Sequence, residues 1–183
     1  MESNHAGPGP AGGAAAAASG GRVLVVDDEP MLLRAVARVL AAKGYRVACA
    51  GDGSEALKML QSDHFDVIVS DISMPSMGGI ALLQAVRAHD LDVPVVLATG
   101  DPRLETAIEA VEYGAFRYLK KPVTNEVLIE TVGRAHAMHE MARLKREARD
   151  IAGLEGGQPG DRAALEGRFE RALQALWMAW QPI

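Results

Sequence analysis

Short apolar runs alternate with longer amphipathic stretches from Arg22 to about residue 140. The apolar runs predict strands, and they cover residues 23–26, 45–50, 67–69, 95–98 and 116–119. Between them, apolar residues recur every three or four positions, which is typical of a helix with one buried face. The predicted helices cover residues 29–43, 53–62, 78–89, 102–113 and 123–150. This alternation predicts an α/β domain in which right-handed crossovers build a parallel sheet covered on both faces.

Local signals mark several helix ends. Gly44 and Gly114 follow the predicted helices at positions where glycine commonly ends a helix. Asp101 precedes Pro102, which predicts a capping residue followed by proline at the first helical position. These signals place one helix end before the second strand and another before the fifth.

The regular pattern occupies only part of the 183 residues. Residues 1–20 are rich in Gly, Pro and Ala and lack the large apolar centre of a secretory signal, so they predict a disordered tail. Residues 21–139 form the predicted domain, and residues 140–160 continue as helix and then as a glycine-rich, flexible linker. In residues 161–183, Asp161 predicts the cap of a new amphipathic helix, as if a second domain began there and was truncated.

The last helix of the domain carries an apolar stripe beyond the predicted core. Met141, Leu144, Ala148 and Ile151 follow three-four spacing among charged residues. This resembles about two coiled-coil heptads, which would allow a homodimer through the helix 124–151. A solvated single helix explains the same pattern equally well.

Composition excludes several kinds of function. The net charge of -5 argues against a nonspecific grip on nucleic acid, which needs clustered Lys and Arg. Cys49 is the only cysteine, so an intrachain disulfide is impossible, and its place in an apolar run predicts a small buried thiol. No apolar stretch approaches the ~20 residues that cross a bilayer, so the expectation is a soluble, cytoplasmic chain without membrane contact.

Polar residues follow four of the predicted strands. Asp27 and Asp28 follow the first, and Asp71, Thr99 and Lys121 follow the later ones. Functional groups in open α/β sheets gather beyond the carboxyl ends of the strands, so we expect these side chains to converge. Crowded carboxylates repel one another, and a divalent cation such as Mg²⁺ resolves that conflict. An aspartate can also attack phosphorus, with Lys121 neutralising charge and Thr99 donating a hydrogen bond.

The motifs around these positions closely resemble the receiver domain of two-component response regulators. The resemblance covers about residues 21–140 and rests on four separated motifs in the same order. They are Val25-Val26-Asp27-Asp28-Glu29-Pro30, Ser70-Asp71-Ile72-Ser73-Met74-Pro75 with Met77 and Gly79, Thr99-Gly100, and Lys121-Pro122. The resemblance implies a flavodoxin-like, doubly wound, five-stranded parallel sheet and a phosphoryl group taken from a partner kinase's phosphohistidine.

The resemblance also implies individual roles. Asp71 would be the phosphorylated residue, and Asp28, Asp71 and the carbonyl of Ser73 would hold Mg²⁺ with Asp27 supporting the metal shell. Lys121 would contact a phosphoryl oxygen. Thr99 and Tyr118 would form a switch pair, although an aromatic residue in a strand can also be plain core.

One residue differs from the usual family pattern, and two others stand at positions that vary within the family. Receivers usually carry an aspartate where this chain has Gly78. Ser73 and Asp101 occupy the two variable positions that tune dephosphorylation in the family.

Other interpretations remain beside the receiver hypothesis. A phosphatase of the haloacid dehalogenase type also uses an aspartyl phosphate, but it needs two aspartates two residues apart, and Asp71 is followed by Ile72 and Ser73. A scaffold that only dimerises is a third possibility. His136 and His139 have a spacing that a metal site could use, but exposed linker histidines without an acid partner are the preferred prediction.

The end of the chain has a separate resemblance. Residues 165–183, with Phe169, Leu173, Trp177 and the closing Gln-Pro-Ile, look like the opening helix and strand of an EAL-type cyclic di-GMP phosphodiesterase. The stretch contains none of that family's metal-binding or catalytic acids. The expectation is therefore a signalling fragment that is not itself an enzyme, cut from a longer regulator of cyclic di-GMP turnover.

Overall fold

The computed structural model describes residues 20–89 and 92–153, together with residues 167, 168, 170, 171 and 174. Nearly all of the predicted tail 1–20, the glycine-rich part of the linker and most of residues 161–183 lie outside the described residues, as does the predicted cap at Asp161.

Five strands alternate with five helices through residues 22–153. The strands are β1 (Arg22–Val26), β2 (Arg46–Ala50), β3 (Val67–Asp71), β4 (Val95–Thr99) and β5 (Arg117–Lys120). The helices are α1 (Pro30–Ala41), α2 (Gly53–Ser62), α3 (Gly79–His89), α4 (Leu104–Glu112) and α5 (Asn125–Gly153). All five strands pair in parallel in the order β2-β1-β3-β4-β5, which confirms the predicted flavodoxin-like α/β fold.

The sheet separates two apolar cores. Leu24, Ile68 and Leu97 point to the face covered by α2, α3 and α4. The alternate strand residues, including Val25 and Val69, point to the other face, where α1 and α5 cover them. Side chains of consecutive strand residues point to opposite faces, so both faces of each central strand are apolar. This arrangement explains the unbroken apolar runs of the sequence.

Two glycines end helices as predicted. Gly44 has φ 89° and Gly114 has φ 69°, a backbone region that favours glycine because it has no Cβ. Their amides donate to the carbonyls of Ala41 and Val111, respectively. Each turn therefore directs the chain from its helix into the following strand.

The predicted start of α4 is wrong. Asp101 does not cap the helix and Pro102 is not its first residue, because α4 begins at Leu104 with Arg103 as its extended N-cap. The Asp101 side chain instead pairs with the Arg103 guanidinium. Asp101 is thus part of a longer loop between β4 and α4.

The prediction for Cys49 is also wrong, since its side chain is exposed. β2 is an edge strand, so one side of it lacks a neighbouring strand within the sheet. Partial burial still raises the pKa of the Cys49 thiol. The apolar run alone did not show that this strand lies at an edge.

The histidines on α5 are not exposed linker residues, which corrects that prediction. His139 is buried, and its Nδ1 atom lies 3.4 Å from a carboxylate oxygen of Asp66. The His136 ring packs edge-on against Tyr45, with ring centroids 5.8 Å apart. α5 runs back along the sheet to the end where Asp66 precedes β3, and this brings residues distant in sequence into contact.

The apolar stripe of α5 is partly covered within a single chain. Met141 is 8% exposed and Leu144 is fully buried. A coiled coil with a second chain would have to uncover them. Within residues 20–89 and 92–153, no helix is long and apolar enough to cross a membrane.

Candidate functional site

The predicted site residues lie at the carboxyl edge of the sheet. Asp71 and Thr99 end β3 and β4, while Asp27 and Lys121 immediately follow β1 and β5. The amide of Asp27 donates to the Ala50 carbonyl, and the amide of Lys121 donates to the Thr99 carbonyl. These backbone bonds extend the sheet pairing by one residue, so the side chains start from fixed positions. The Lys121–Pro122 peptide bond is cis.

Lys121 joins two of the predicted acids. Its Nζ atom lies 2.8 Å from Asp27 Oδ2 and 2.6 Å from Asp71 Oδ1. Asp27 is only 5% exposed and Asp71 only 6% exposed. Burial alone would lower the pKa of Lys121, but the two carboxylates outweigh burial and raise it. The ammonium is therefore charged at neutral pH.

Backbone amides orient the remaining carboxylate oxygens. The Ser73 amide donates to Asp71 Oδ2 at 2.6 Å, and the Glu29 amide donates to Asp27 Oδ1 at 2.9 Å. The Ser70 hydroxyl donates to the Asp71 carbonyl. Each buried carboxylate thus has charge-assisted hydrogen bonds on both oxygens, which compensate for its burial.

Two glycines allow the loop after Asp71 to close tightly. A Cβ atom on Gly79 would overlap the Asp71 carbonyl, and one on Gly78 would lie 2.5 Å from the Ile72 carbonyl. A side chain at position 78 would therefore force this loop to shift. The tight turn of this loop explains why a glycine stands at position 78.

The donor set fits a divalent cation that keeps part of its water shell. Three aspartates and one lysine leave a formal excess of two negative charges at the edge. Asp28 is exposed, next to buried Asp27. In residues 20–89 and 92–153, no three acidic, His or Cys side chains converge as a ready metal cluster. Mg²⁺ usually takes only one or two carboxylates and several waters, so two carboxylates with a backbone carbonyl are sufficient.

The two predicted switch residues differ in their surroundings. Thr99 is fully buried, and its hydroxyl oxygen accepts a hydrogen bond from the Asp101 amide at 3.1 Å. Tyr118 is partly buried against the core under α4, on an edge strand. Its hydroxyl lies 3.0 Å from the Thr106 hydroxyl. The Tyr118 hydroxyl thus forms a hydrogen bond with a residue of α4, away from Asp71.

Sequence reasoning missed Thr106. It lies on α4, outside the strand-end pattern that identified the other residues. A polar residue on the partly buried face of a helix was the available signal, but that face became evident only once α4 was placed against β5.

A cavity of about 510 Å³ opens from this edge between α1 and the start of α5. Asp27, Asp71 and Lys121 lie among its lining residues, and most of the others are apolar, such as Val36 and Leu128. Asp71 therefore lies in the wall of a cavity between α1 and α5.

Comparison with known proteins fixes the family. The family model described as "Response regulator receiver domain" matches residues 23–133. The chain belongs to the response regulator receiver family. A solved receiver domain from Methanospirillum hungatei JF-1, described as CheY-like, has 28% sequence identity and a TM-score of 0.66. The match covers 68% of this chain and 99% of that receiver.

Two curated relatives are longer than this receiver. Regulatory protein AtoC of Escherichia coli K12 is 38% identical over 125 residues, which are 68% of this chain and 26% of AtoC. Transcriptional regulatory protein PrrA of Mycobacterium tuberculosis is 38% identical over 145 residues, which are 77% of this chain and 61% of PrrA. The chain thus spans about a quarter of AtoC and under two thirds of PrrA. The match says nothing about the function of the remaining parts of these relatives.

Proposed function

We propose that this receiver accepts a phosphoryl group on Asp71 from the phosphohistidine of a partner kinase or phosphotransfer protein. The observation that carries the proposal is the contact of Lys121 Nζ with both Asp71 and Asp27, at 2.6 and 2.8 Å. A carboxylate held beside a fixed cation can approach an anionic phosphoryl group that would otherwise repel it.

The transfer balances without a further reactant. A carboxylate oxygen of Asp71 forms a bond to phosphorus as the phosphorus–nitrogen bond of the donor breaks. The departing imidazole takes up a proton, and the product is an acyl phosphate on Asp71. Asp71 is held by the Ser73 amide and Lys121, so it needs little reorientation before attack.

The other site residues would bind Mg²⁺ and neutralise the charge of the phosphoryl group. Asp28, Asp71 and the Ser73 carbonyl would hold Mg²⁺, with Asp27 supporting the metal shell. When bound, Mg²⁺ neutralises charge on the phosphoryl oxygens. Lys121 exchanges its contact with Asp71 for one with a phosphoryl oxygen. Before this exchange, contacts with Asp27 and Asp71 raise the pKa of Lys121.

Thr99 and Tyr118 would report the phosphorylated state. The Thr99 hydroxyl would turn towards the phosphoryl group, and the Tyr118 ring would turn inward. Support comes from their placement, since Thr99 ends the strand beside β3 and Tyr118 lies on the next strand.

Phosphorylation with a small phosphodonor tests the proposal directly. Incubation with Mg²⁺ and acetyl phosphate should add the mass of one phosphoryl group to the intact protein, and chelation of Mg²⁺ should prevent it. The Asp71→Asn variant should remain unlabelled. Labelling that survives this substitution would overturn the assignment of Asp71.

A phosphatase activity of the haloacid dehalogenase type is not favoured. Ser73 stands two residues after Asp71, where that family needs a second aspartate. Sustained turnover of a phosphomonoester such as p-nitrophenyl phosphate would favour it. Release of no more than one equivalent supports the receiver function.

We further propose that the controlled process is cyclic di-GMP turnover in a longer protein. The support is the resemblance of residues 165–183 to the start of an EAL domain. The relative PrrA is a transcriptional regulatory protein, so transcription is the alternative output. Sequencing of the gene beyond the codon for Ile183 tests this, because a DNA-binding domain there would contradict the proposal.

A further inference from the structure

The two predicted switch residues are connected by a continuous series of hydrogen bonds. Thr99 ends β4, and Tyr118 on β5 pairs in register with Leu97, two residues earlier on β4. Residues two apart on a strand share a face, so Thr99 and Tyr118 point to the same side of the sheet. The bonds that connect them run through the loop between β4 and α4.

Four contacts make up the connection. The Asp101 amide donates to Thr99 Oγ1 at 3.1 Å, and the Asp101 carboxylate accepts from Arg103 Nε at 2.8 Å. The Arg103 carbonyl accepts from Thr106 Oγ1 at 3.0 Å. The Thr106 hydroxyl then meets the Tyr118 hydroxyl at 3.0 Å.

The direction of the last bond follows from counting hydrogens. A threonine hydroxyl carries one hydrogen, and that of Thr106 is donated to the Arg103 carbonyl. Thr106 Oγ1 can therefore only accept from Tyr118, whose hydroxyl must be the donor. Thr106 is an oriented acceptor that holds the tip of the Tyr118 side chain against α4.

We propose that Asp101, Arg103 and Thr106 form a relay that couples the two switch residues, with Thr106 as the latch for Tyr118. The relay rests on the proposed function, because it gives the movement of Thr99 a path to Tyr118. A Thr99 hydroxyl drawn towards a phosphoryl group leaves the Asp101 amide without its acceptor. The loop must then rearrange, which moves the Arg103 carbonyl away from Thr106 and weakens the acceptor that holds Tyr118.

Thr106 is a positioning residue, and it offers a matched pair of substitutions. Thr106→Val keeps the shape of the side chain but removes the acceptor. Thr106→Ser keeps the hydroxyl and both of its bonds. The pair therefore separates the hydrogen bond from the packing of α4 on β5.

Fluorine NMR reports the position of Tyr118 without any phosphorylation. The chain has three tyrosines, so 3-fluorotyrosine labelling gives three signals, and Tyr45 and Tyr113 act as internal references. In the unphosphorylated protein, Thr106→Val should raise the population of released Tyr118 by about threefold to tenfold, the ratio expected for one lost hydrogen bond. Thr106→Ser should match the parent protein.

Beryllium trifluoride with Mg²⁺, as a phosphoryl mimic, identifies the released position. The Tyr118 signal of Thr106→Val should move towards the position that the parent protein takes with this mimic. A Tyr118 signal unchanged by Thr106→Val, or changed equally by Thr106→Ser, would overturn the latch. Since the first measurement uses unphosphorylated protein, failure of the latch is distinguishable from failure of Asp71 to accept a phosphoryl group.

A double-substitution cycle tests the hydrogen bond between Thr106 and Tyr118 through the phosphorylation rate. Thr106→Val and Tyr118→Phe should each change the phosphorylation rate with acetyl phosphate by a similar factor, and their combination should add nothing further. The Kd for Mg²⁺ should be the same in all three variants, because Thr106 and Tyr118 lie outside the metal-binding residues. Additive effects of the two substitutions would contradict a direct bond between these side chains.

Discussion

Lys121 holds together two buried carboxylates that would otherwise repel each other. Its Nζ atom contacts Asp27 and Asp71 at once, so it also competes with a cation for their oxygens. The ammonium thus stabilises the site before phosphorylation and neutralises the phosphoryl group after it. The two roles can be separated because they affect metal binding and phosphorylation in opposite directions.

Substitution of Lys121 with alanine should slow phosphorylation of Asp71 by about 100-fold, the usual cost of one lost electrostatic contact at a reacting centre. Mg²⁺ should bind more tightly, because the competing cation is gone. Lys120→Ala is a matched control, since Lys120 is the adjacent residue and is exposed. Phosphorylation rates with acetyl phosphate and calorimetric titration with Mg²⁺ measure both effects. A Lys121→Ala variant with the parent rate would contradict the role of this lysine.

Asp66 is an acid outside the site whose charge stabilises the fold. Burial alone would raise its pKa, but contact with His139 and a 2.6 Å bond from the Arg22 amide lower the pKa to about 2. Because the folded pKa lies below the unfolded value of 3.8, the stabilisation is present above pH 3.8 and is lost as the pH falls towards 2.

Asp66→Asn should therefore lower the free energy of unfolding by about 2 kcal/mol at pH 7, from about 1.4 kcal/mol per unit of pKa difference. The free energies of unfolding of the parent protein and of Asp66→Asn should converge as the pH falls below 3.8. Urea unfolding at a series of pH values measures this, with Asp63→Asn as the control, because Asp63 pairs with Arg22 in a more exposed position. A difference that stays constant between pH 7 and pH 3 would exclude the linkage.

Residues at the strand ends could be predicted because a parallel sheet brings all its carboxyl ends to one edge. Asp27, Asp71 and Lys121 meet for that reason alone. Contacts of Asp66 with His139 and of Thr106 with Tyr118 could not be predicted, since they depend on how each helix lies across the sheet. Local patterns give the period of a helix but not the residues it will meet.

At the scale of elements, the helix ends show where local signals compete with packing. Asp101-Pro102 has the composition of a helix start, yet α4 begins at Leu104. Asp101 is engaged by Thr99 and Arg103, and these contacts hold it in the loop. The two glycine ends were predictable because a positive φ depends mainly on the residue itself.

Arg87 fastens α3 to the end of α4. Its guanidinium donates to the carbonyls of Val93 and Gly114 at 2.8 Å and to that of Tyr113 at 3.2 Å. Tyr113 and Gly114 follow the last turn of α4, where carbonyls lack helical partners and the helix dipole favours a cation.

Arg87→Ala should lower the free energy of unfolding by about 2 kcal/mol, since it removes several charge-assisted bonds. Arg87→Lys should recover only part of this, because an ammonium cannot match the planar fork of donors. Arg34→Ala is the control on an exposed helix face and should change stability by less than about 0.5 kcal/mol. Thermal unfolding and hydrogen exchange of α4 measure the effect, and equal stability of the Arg87 and Arg34 variants would rule it out.

At the scale of the whole molecule, α5 extends beyond the region that covers the sheet. Arg146 pairs with Asp92, which precedes β4, so the extension remains tied to the domain. Met141 and Leu144 are buried within one chain. A homodimer through the helix 124–151 therefore stays a proposal that requires α5 to change its packing.

The described part of the C-terminal segment contacts this extension through Arg168. Its guanidinium lies 2.7 Å from a Glu147 oxygen, and Glu147 also pairs with Arg143 at 3.1 Å. Arg143 in turn binds Glu140. One cation of the segment thus joins a network of alternating charges along α5. Such networks stabilise more than isolated surface pairs do, although salt weakens both.

Arg168→Glu should break the contact of this residue with α5, because it places a third acid against Glu147 and Glu140. Hydrogen exchange of the α5 amides 140–148 should then become about threefold faster, consistent with the modest energy of a partly exposed pair. The swap Arg168→Glu with Glu147→Arg should recover part of the protection, while Arg171→Glu, at an exposed position of the same segment, should leave exchange unchanged. High salt should reduce the difference between the parent protein and Arg168→Glu. Equal exchange in the parent protein and in Arg168→Glu at low salt would mean that the contact of Arg168 with Glu147 does not protect α5.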